Sequence, residues 1–536
     1  MTKLKPEVSP GAGASALAQA AILFMFAIVF VFTNVGLAQS ASPLATVSVE
    51  TKTLGKEIPR NFVGFSLEVS TGGQGVAAFK GNRASGSTGK TEEQEQYALG
   101  HPGAPNTGFF RFMRDLGPGI LRMGGNSQDN SCWDPREAPH PEACQATLNA
   151  GDLKLISAAA QESGWRLILG VNLKQNSPSW ALKEITEGIA REIKPPQILG
   201  LEIGNEPDLF ARSRLPSPAY SPEDHVKSFL AYFHAFAENP AARKYPVVGP
   251  ATCCAWRNAR DLGAFIDGVG AKNLKLVTVH NYSRTTCGGK TVSIAQLLDP
   301  ALMNHFNQQA QPLVAAAQSR GVPIAMAETN SASCGGMPGV SNAFAATVWG
   351  LDYMFSLAQD GFQSVNFHMS YRPGGGSSYN PIDTFGGQSG SGAWRYRNVA
   401  EPLYYAMYLF AQNASGKHIV PASISTRANL RAYAVSACAG CAVKVFVINE
   451  DLSAAGEVRV HISAPGGKAS LLLLQAPSLS SMAPKVGYGG VQFDSEGRLP
   501  AQHSTAVERG SHGNYDFHLP NSSAAVLTIE PAHGGA

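Results

Sequence analysis

Charge is what this sequence has least of. Only 15% of its 536 residues are Asp, Glu, Lys or Arg, against about 25% in an average globular domain. The 42 basic and 39 acidic residues nearly cancel and are spread along the chain. No Lys/Arg run is dense enough to track phosphates, which argues against a nucleic-acid partner. No Gly-rich phosphate loop follows the first strand of the main repeat, so a nucleotide-binding doubly wound sheet lacks its usual support. The cysteines show no zinc spacing and no loop shows calcium spacing, so no metal or cofactor is expected. Long apolar runs are missing too. The longest, at 20–32, has thirteen residues, where a membrane span takes roughly 20.

That run has another reading. Lys3 and Lys5 precede it, and Gly36-Leu37-Ala38 offers small residues at a cleavage position. This is the three-part layout of an export signal over 1–38, which implies a secreted or periplasmic mature chain without a stable membrane span. Eight cysteines then become candidates for oxidation. Cys132 and Cys144 lie close together, Cys438 and Cys441 flank a two-residue turn, and Cys253, Cys254, Cys287 and Cys334 are spread between. Sequence leaves their pairing open.

From Asn61 onward, short β-branched runs alternate with helical stretches. The runs fall at 62–67, 119–123, 166–171, 199–203, 247–249, 274–280, 324–327 and 364–368, with helices at 153–162, 181–192, 222–237 and 342–357. Eight such units predict an α/β fold, a closed (β/α)8 TIM barrel over 59–398. Residues 399–411 read as one more helix. Beyond it, strands separated by Gly, Pro, Ser and Asn predict an antiparallel β-sandwich over 399–536, completed by a strand pair at 46–58 (the second domain being 41–58 plus 399–536). The polar, Gly-rich stretch 487–513 reads as a long loop.

Two predicted strands end in a carboxylate at the barrel's C-terminal rim, where barrel enzymes carry their chemistry. The fourth runs into Asn205-Glu206-Pro207, and Pro207 disfavours a helical backbone at Glu206. The seventh runs into Glu328-Thr329-Asn330. Glycoside hydrolysis needs two such groups, one to protonate the leaving oxygen and one to attack or to activate water. Their environments must differ so that one stays protonated while the other is ionised. Tyr282, after the sixth strand, can donate to Glu328, and Asn205 can hydrogen-bond a sugar hydroxyl. Glu68, after the first strand, is a further sugar contact or else a rim carboxylate. His280 reads as a capping or core histidine. Each glutamate taken singly also fits an ordinary loop or salt-bridge residue.

The segment Glu328-Thr329-Asn330-Ser331-Ala332-Ser333-Cys334-Gly335-Gly336-Met337-Pro338 resembles the nucleophile region of glycoside hydrolase family 79, the β-glucuronidases and heparanases. The likeness continues through Ser341, Phe344, Ala345, Trp349, Leu351 and Asp352. Leu121-Arg122-Met123-Gly124-Gly125-Asn126 looks like that family's second-strand motif and His280-Asn281-Tyr282 like its sixth. The resemblance implies a barrel with a sandwich assembled from both chain ends. It implies Glu206 as acid/base, Glu328 as nucleophile and Tyr282 as the nucleophile's partner. It further implies glucuronide recognition by the Cys334 and Gly335 amides and Tyr379, which join Glu68, Asn126, Asn205 and Tyr282 as the expected substrate-binding residues. Backbone donors in a turn plus a phenol can hold a C6 carboxylate without an arginine.

Two departures stand out. Cys334 falls where heparanase-type members have glycine, and Arg372-Pro373-Gly374-Gly375-Gly376 sets Tyr379 farther from Glu328, leaving Tyr371 as a rival. The partner implied is a β-glucuronide-containing carbohydrate or conjugate, cleaved by a retaining β-glucuronidase. A heparanase-like endo-enzyme, a neutral-sugar glycosidase of the same clan and a non-catalytic sugar-binding protein are the alternatives. Arg212, Arg214, Arg257, Arg284 and Arg372 are too scattered for a polyanion track.

Overall fold

Eight buried strands close into a barrel: β1 (Val63–Glu68), β2 (Ile120–Gly124), β3 (Arg166–Val171), β4 (Ile198–Ile203), β5 (Val247–Thr252), β6 (Leu274–Thr285), β7 (Ile324–Ser333) and β8 (Val365–Met369). The computed structural model describes residues 42–69, 98–101, 103–134, 146–212, 219–372, 375–464, 466–510 and 512–532. The export segment at 1–38 lies outside the described residues. From Pro43 the chain clusters as one compact unit.

Neighbouring barrel strands pair in parallel, and β8 pairs with β1 to close the ring. Residues near the strand starts fill the interior: Ile120, Ile168, Leu199, Val248, Leu276 and Ala325 form one apolar cluster. Side chains two apart on a strand share a face. The layer above this plug is therefore set by Arg122 on β2 and by Thr278 and His280 on β6, all buried. The barrel is apolar at the bottom and ionisable near the top.

Helix Phe344–Asp360 is buried over nearly its whole length and joins barrel to sandwich. Its Phe355 stacks on Tyr433 at 4.5 Å and meets Phe446 and Phe410 at 4.7 and 4.8 Å. One sandwich sheet orders Ala422–Thr426, Ala45–Val49, Gly456–Ile462 and Tyr515–Leu519. The other is built on Leu430–Ser436, Val443–Asn449, Ser523–Pro531 and Gly466–Gln475.

Three sequence expectations need correction. The stretch 46–58 holds one strand, Ala45–Val49, rather than a pair; Glu57 makes only an isolated bridge to His418. That strand lies parallel to Gly456–Ile462, so its sheet is mixed rather than purely antiparallel. The helix expected at 399–411 starts at Pro402, because Val399 and Ala400 belong to a hairpin strand, Trp394–Ala400, paired with Ile382–Gln388. Glu401 is extended, as a residue before proline prefers, and Pro402 takes the first helical turn. Strands His418–Val420 and Ala422–Thr426 were not anticipated.

Candidate active site

Glu206 leaves β4 at the rim with a positive φ of 48°, a conformation rare outside glycine. Its N–H donates to Ala251 O at 2.9 Å, which fixes the backbone to the end of β5. Beside it Asn205 is buried; its N–H donates to Asp129 Oδ2 at 2.7 Å and its Oδ1 accepts from Arg122 at 2.8 Å. Glu328 sits midway along β7 and accepts the Tyr282 hydroxyl at 2.8 Å. One carboxylate oxygen of Glu206, one of Glu328 and a ring nitrogen of His280 all lie within 4.8 Å of one another. Both glutamates anticipated as catalytic therefore meet, despite the length of chain between them.

Their environments push in opposite directions. Burial raises the Glu206 pKa well above the carboxylate range, and the charges of Glu328 and Asp208 raise it further. Burial also opposes ionisation of Glu328, but the charges of His368, His280 and Arg122 and the Tyr282 hydroxyl outweigh it, so its pKa is lowered. His280 contributes little charge at neutral pH, because burial and the Arg122 charge hold its own pKa at about 4. Arg122, with His368 when protonated, is the effective cation. The result is a protonated Glu206 facing an ionised Glu328, the division of labour an acid and a nucleophile require. Burial, then the Glu328 charge, keeps the Tyr282 phenol protonated and able to donate.

Arg122 is the group that sequence reading missed. Fully buried, it reaches Glu202 at 2.6 Å, Glu328 at 2.7 Å, Asn205 at 2.8 Å and Ser66 at 2.9 Å. Arginine inside an otherwise apolar strand was the available signal, since a buried cation must find partners. The glycines of its motif have steric causes. A Cβ on Gly124 would stand 2.6 Å from the guanidinium carbon, and one on Gly125 (φ 74°) 2.5 Å from the Glu68 carboxylate.

Glu68 accepts from the Ser127 hydroxyl at 2.6 Å and the Ser127 and Asn126 amides at 2.8 and 3.3 Å. Burial opposes its ionisation, but contacts with His368 and Ser127 outweigh it and lower its pKa. His368 stands between two acids, 3.5 Å from Glu68 and 3.7 Å from Glu328. Burial alone would lower its pKa; Glu328 and Glu68 together raise it. His368 was also missed, and a histidine near the end of the eighth apolar run was its only sign. His280, read as a capping or core residue, is fully buried and also lies 3.2 Å from Glu206. The Asn126 side chain is exposed at the rim, in contrast to the buried Asn205.

The expected carboxylate-binding turn follows β7. Cys334, Gly335 and Gly336 take φ values of 64°, 95° and 79°, one turn of left-handed backbone. Their three N–H groups donate to no acceptor among the described residues. The turn packs against the segment that carries Tyr379: Gly336 lies against the Tyr379 amide, and the Tyr379 ring is 6.2 Å from that of Tyr282, the partner of Glu328. Asn330 fixes this arrangement by donating to the carbonyls of both Tyr379 and His368. Tyr371 is not the rival contact, because its hydroxyl is bonded to Ile382 O. Cys334 is joined to Cys287, Cys438 to Cys441 and Cys253 to Cys254.

Among the described residues, two clusters bring three metal-type ligands together, Glu206–His280–Glu328 and Asp208–Cys253–Cys254. In the first, Arg122 already neutralises Glu328 at 2.7 Å and would repel a cation. In the second, both sulfurs are tied in a disulfide. Neither donor set fits a resident metal.

No family model matches the chain. It is 28% identical over 350 residues to a β-glucuronidase of Neurospora crassa, covering 57% of this chain and 60% of that one. It is 27% identical over 292 residues to a β-glucuronidase of Aspergillus niger (49% and 52%) and 21% identical over 317 residues to a heparanase of Gallus gallus (50% and 59%). The chain thus spans between about half and three fifths of these relatives. A 4-O-α-L-rhamnosyl-β-D-glucuronidase from Fusarium oxysporum 12S shares the fold with a TM-score of 0.69 at 19% identity, covering 90% of this chain and all of that one. A family 51 arabinofuranosidase from Xanthomonas axonopodis does so at 0.62 and 13%, covering 91% of this chain and all of that one. By sequence the chain is thus similar to two β-glucuronidases and a heparanase, and it shares its fold with two solved glycosidases.

Proposed function

We propose that this protein is a retaining β-glucuronidase that releases terminal β-linked glucuronic acid from a carbohydrate or conjugate. The observation that carries the reaction type is the Glu206–Glu328 pair, with oxygens within 4.8 Å and proton affinities displaced in opposite directions. Retaining glycosidases hold their carboxyl groups about 5–5.5 Å apart, too close for a water to attack between them. Glu328 attacks the anomeric carbon while Glu206 protonates the departing oxygen, forming a covalent glycosyl-enzyme. Water activated by the now ionised Glu206 then attacks that carbon and releases the sugar with retained configuration.

Two features support glucuronide over a neutral sugar: the names of the curated relatives and the three unpaired amides at Cys334–Gly336. Backbone donors clustered in a turn can bind anions. Tyr379, whose amide adjoins Gly336, supplies a phenol, and Glu68, Asn126 and Asn205 are the groups for sugar hydroxyls. Export through the 1–38 segment is part of the same reading, supported by the disulfides, which persist in oxidising compartments.

The test is hydrolysis of matched aryl β-glucuronide, β-glucoside and β-xyloside. A strong preference for the glucuronide is expected. Preference for either neutral glycoside would keep the two glutamates and discard the substrate assignment.

A further inference from the structure

The proposed carboxylate-binding turn is held by little hydrogen bonding of its own among the described residues: its amides donate to nothing, and Cys334 O accepts one long contact from the Thr286 hydroxyl at 3.4 Å. Three successive left-handed residues are costly where a Cβ is present, and Cys334 carries one at φ 64°. Cys334 is exposed, and the three amides donate to nothing among the described residues. The restraint is covalent instead. Cys334 is bonded to Cys287, 47 residues earlier, with the Cα atoms 5.3 Å apart. Cys287 follows the end of β6 and is itself seated: the Thr286 N–H and hydroxyl both donate to Ser333 O, at 3.2 and 2.8 Å. On the turn's other side, a Cβ on Gly336 would stand 2.9 Å from both the Ser341 side chain and the Tyr379 amide. The turn is clamped between β6 and the segment that carries Tyr379.

We propose that the Cys287–Cys334 disulfide determines substrate specificity, by holding the left-handed turn so that its amides converge with Tyr379 on the substrate carboxylate. This rests on the reading that the turn receives that carboxylate. Cys287 touches neither glutamate and acts only through the turn, so it is a positioning residue. A neutral sugar in the same site gains nothing from the clamp. The disulfide therefore sets KM for glucuronides and leaves the bond-breaking step alone.

The test compares the wild type with Cys287→Ser, which keeps every backbone amide of the turn. Expected is a rise in KM for an aryl β-glucuronide of about tenfold or more, the size of one lost hydrogen bond to a charged group, with kcat little changed. Inhibition by free glucuronate should weaken by the same factor, while inhibition by glucose stays as in the wild type. A disulfide that only braces the fold would lower kcat and both inhibitions together, and that result overturns the proposal. So does a variant with unchanged KM. If Cys287→Ser does not fold, Thr286→Val, which removes the hydroxyl contacts to Ser333 O and Cys334 O but keeps the disulfide, is measured in the same way and should raise KM selectively. A wild type that prefers a neutral glycoside is a different failure, of the substrate reading, and it takes this proposal with it.

Discussion

Replacing Arg122 with Met should disable the site more thoroughly than any other single change outside the two glutamates. The guanidinium lies 2.6 Å from Glu202 and 2.7 Å from Glu328, with no solvent exposure. At an effective dielectric of about 20, each contact is a gross attraction of about 6 kcal/mol. Most of that offsets the cost of burying the charges. What Met leaves behind is a buried Glu202 without its cation and a Glu328 with only His368 at 3.7 Å when that ring is protonated, a loss of about 3–5 kcal/mol when one partner of a buried pair is removed. If that loss falls on the ionised nucleophile, kcat/KM on an aryl glucuronide drops by about two to four powers of ten. The sign of the pH effect is fixed. The Glu328 pKa is lowered in the native protein, so activity persists until pH falls through that depressed value. Without Arg122 the acid limb must move to higher pH. Arg122→Lys keeps a charge but not the fork that also binds Asn205 and Ser66. It should hold the acid limb closer to wild type while still losing rate. The assay is kcat/KM against pH for the three proteins, with thermal unfolding to confirm folding. A folded Arg122→Met variant whose acid limb has not moved would refute this electrostatic role.

Other consequences can be measured alongside. The alkaline limb should reflect Glu206, whose raised pKa keeps it protonated; Asp208→Asn removes one of the raising charges and should move that limb to lower pH. Glu206→Gln should cost about 10²–10⁴-fold on glucuronides with poor leaving groups and far less on activated aryl glucuronides, and equal losses on both would count against its acid role. Tyr282→Phe removes a hydrogen bond to a charged group worth about 1.5–3 kcal/mol, so kcat/KM should fall about 10- to 100-fold. His368 has a raised pKa, so its stabilisation is fully present below its unfolded pKa of about 6.5 and is lost as pH rises through the folded value. The difference in unfolding temperature between wild type and His368→Gln should accordingly shrink as pH rises, and a constant difference would mean that His368 acts by packing alone.

The barrel was readable because each of its strands is a short, nearly continuous apolar run, as parallel strands buried on both faces must be. Glu206 and Glu328 were readable because they follow such runs. Arg122, Glu202 and His368 lie within or near the ends of the same kind of run, and periodicity cannot reveal which charged residues a closed barrel turns toward one another. His280 was read as a core or capping histidine, and it is fully buried, but its approach to Glu206 was not foreseen for that reason. The parallel pairing of Ala45–Val49 with Gly456–Ile462 joins segments about 400 residues apart, which no local pattern encodes. The Cys287–Cys334 bond likewise depends on β6 and β7 extending past the rim side by side. Those extensions, Thr285 and Ser333 included, carry polar side chains that read as loop.

The most direct test of the two-glutamate mechanism is to trap the covalent intermediate. A 2-deoxy-2-fluoro-β-glucuronyl fluoride should inactivate the enzyme with time, and peptide mass spectrometry should find a single fluoroglucuronyl group on Glu328. A label on any other residue, or hydrolysis of an aryl β-glucuronide to the α-anomer as first product, would contradict the assignment.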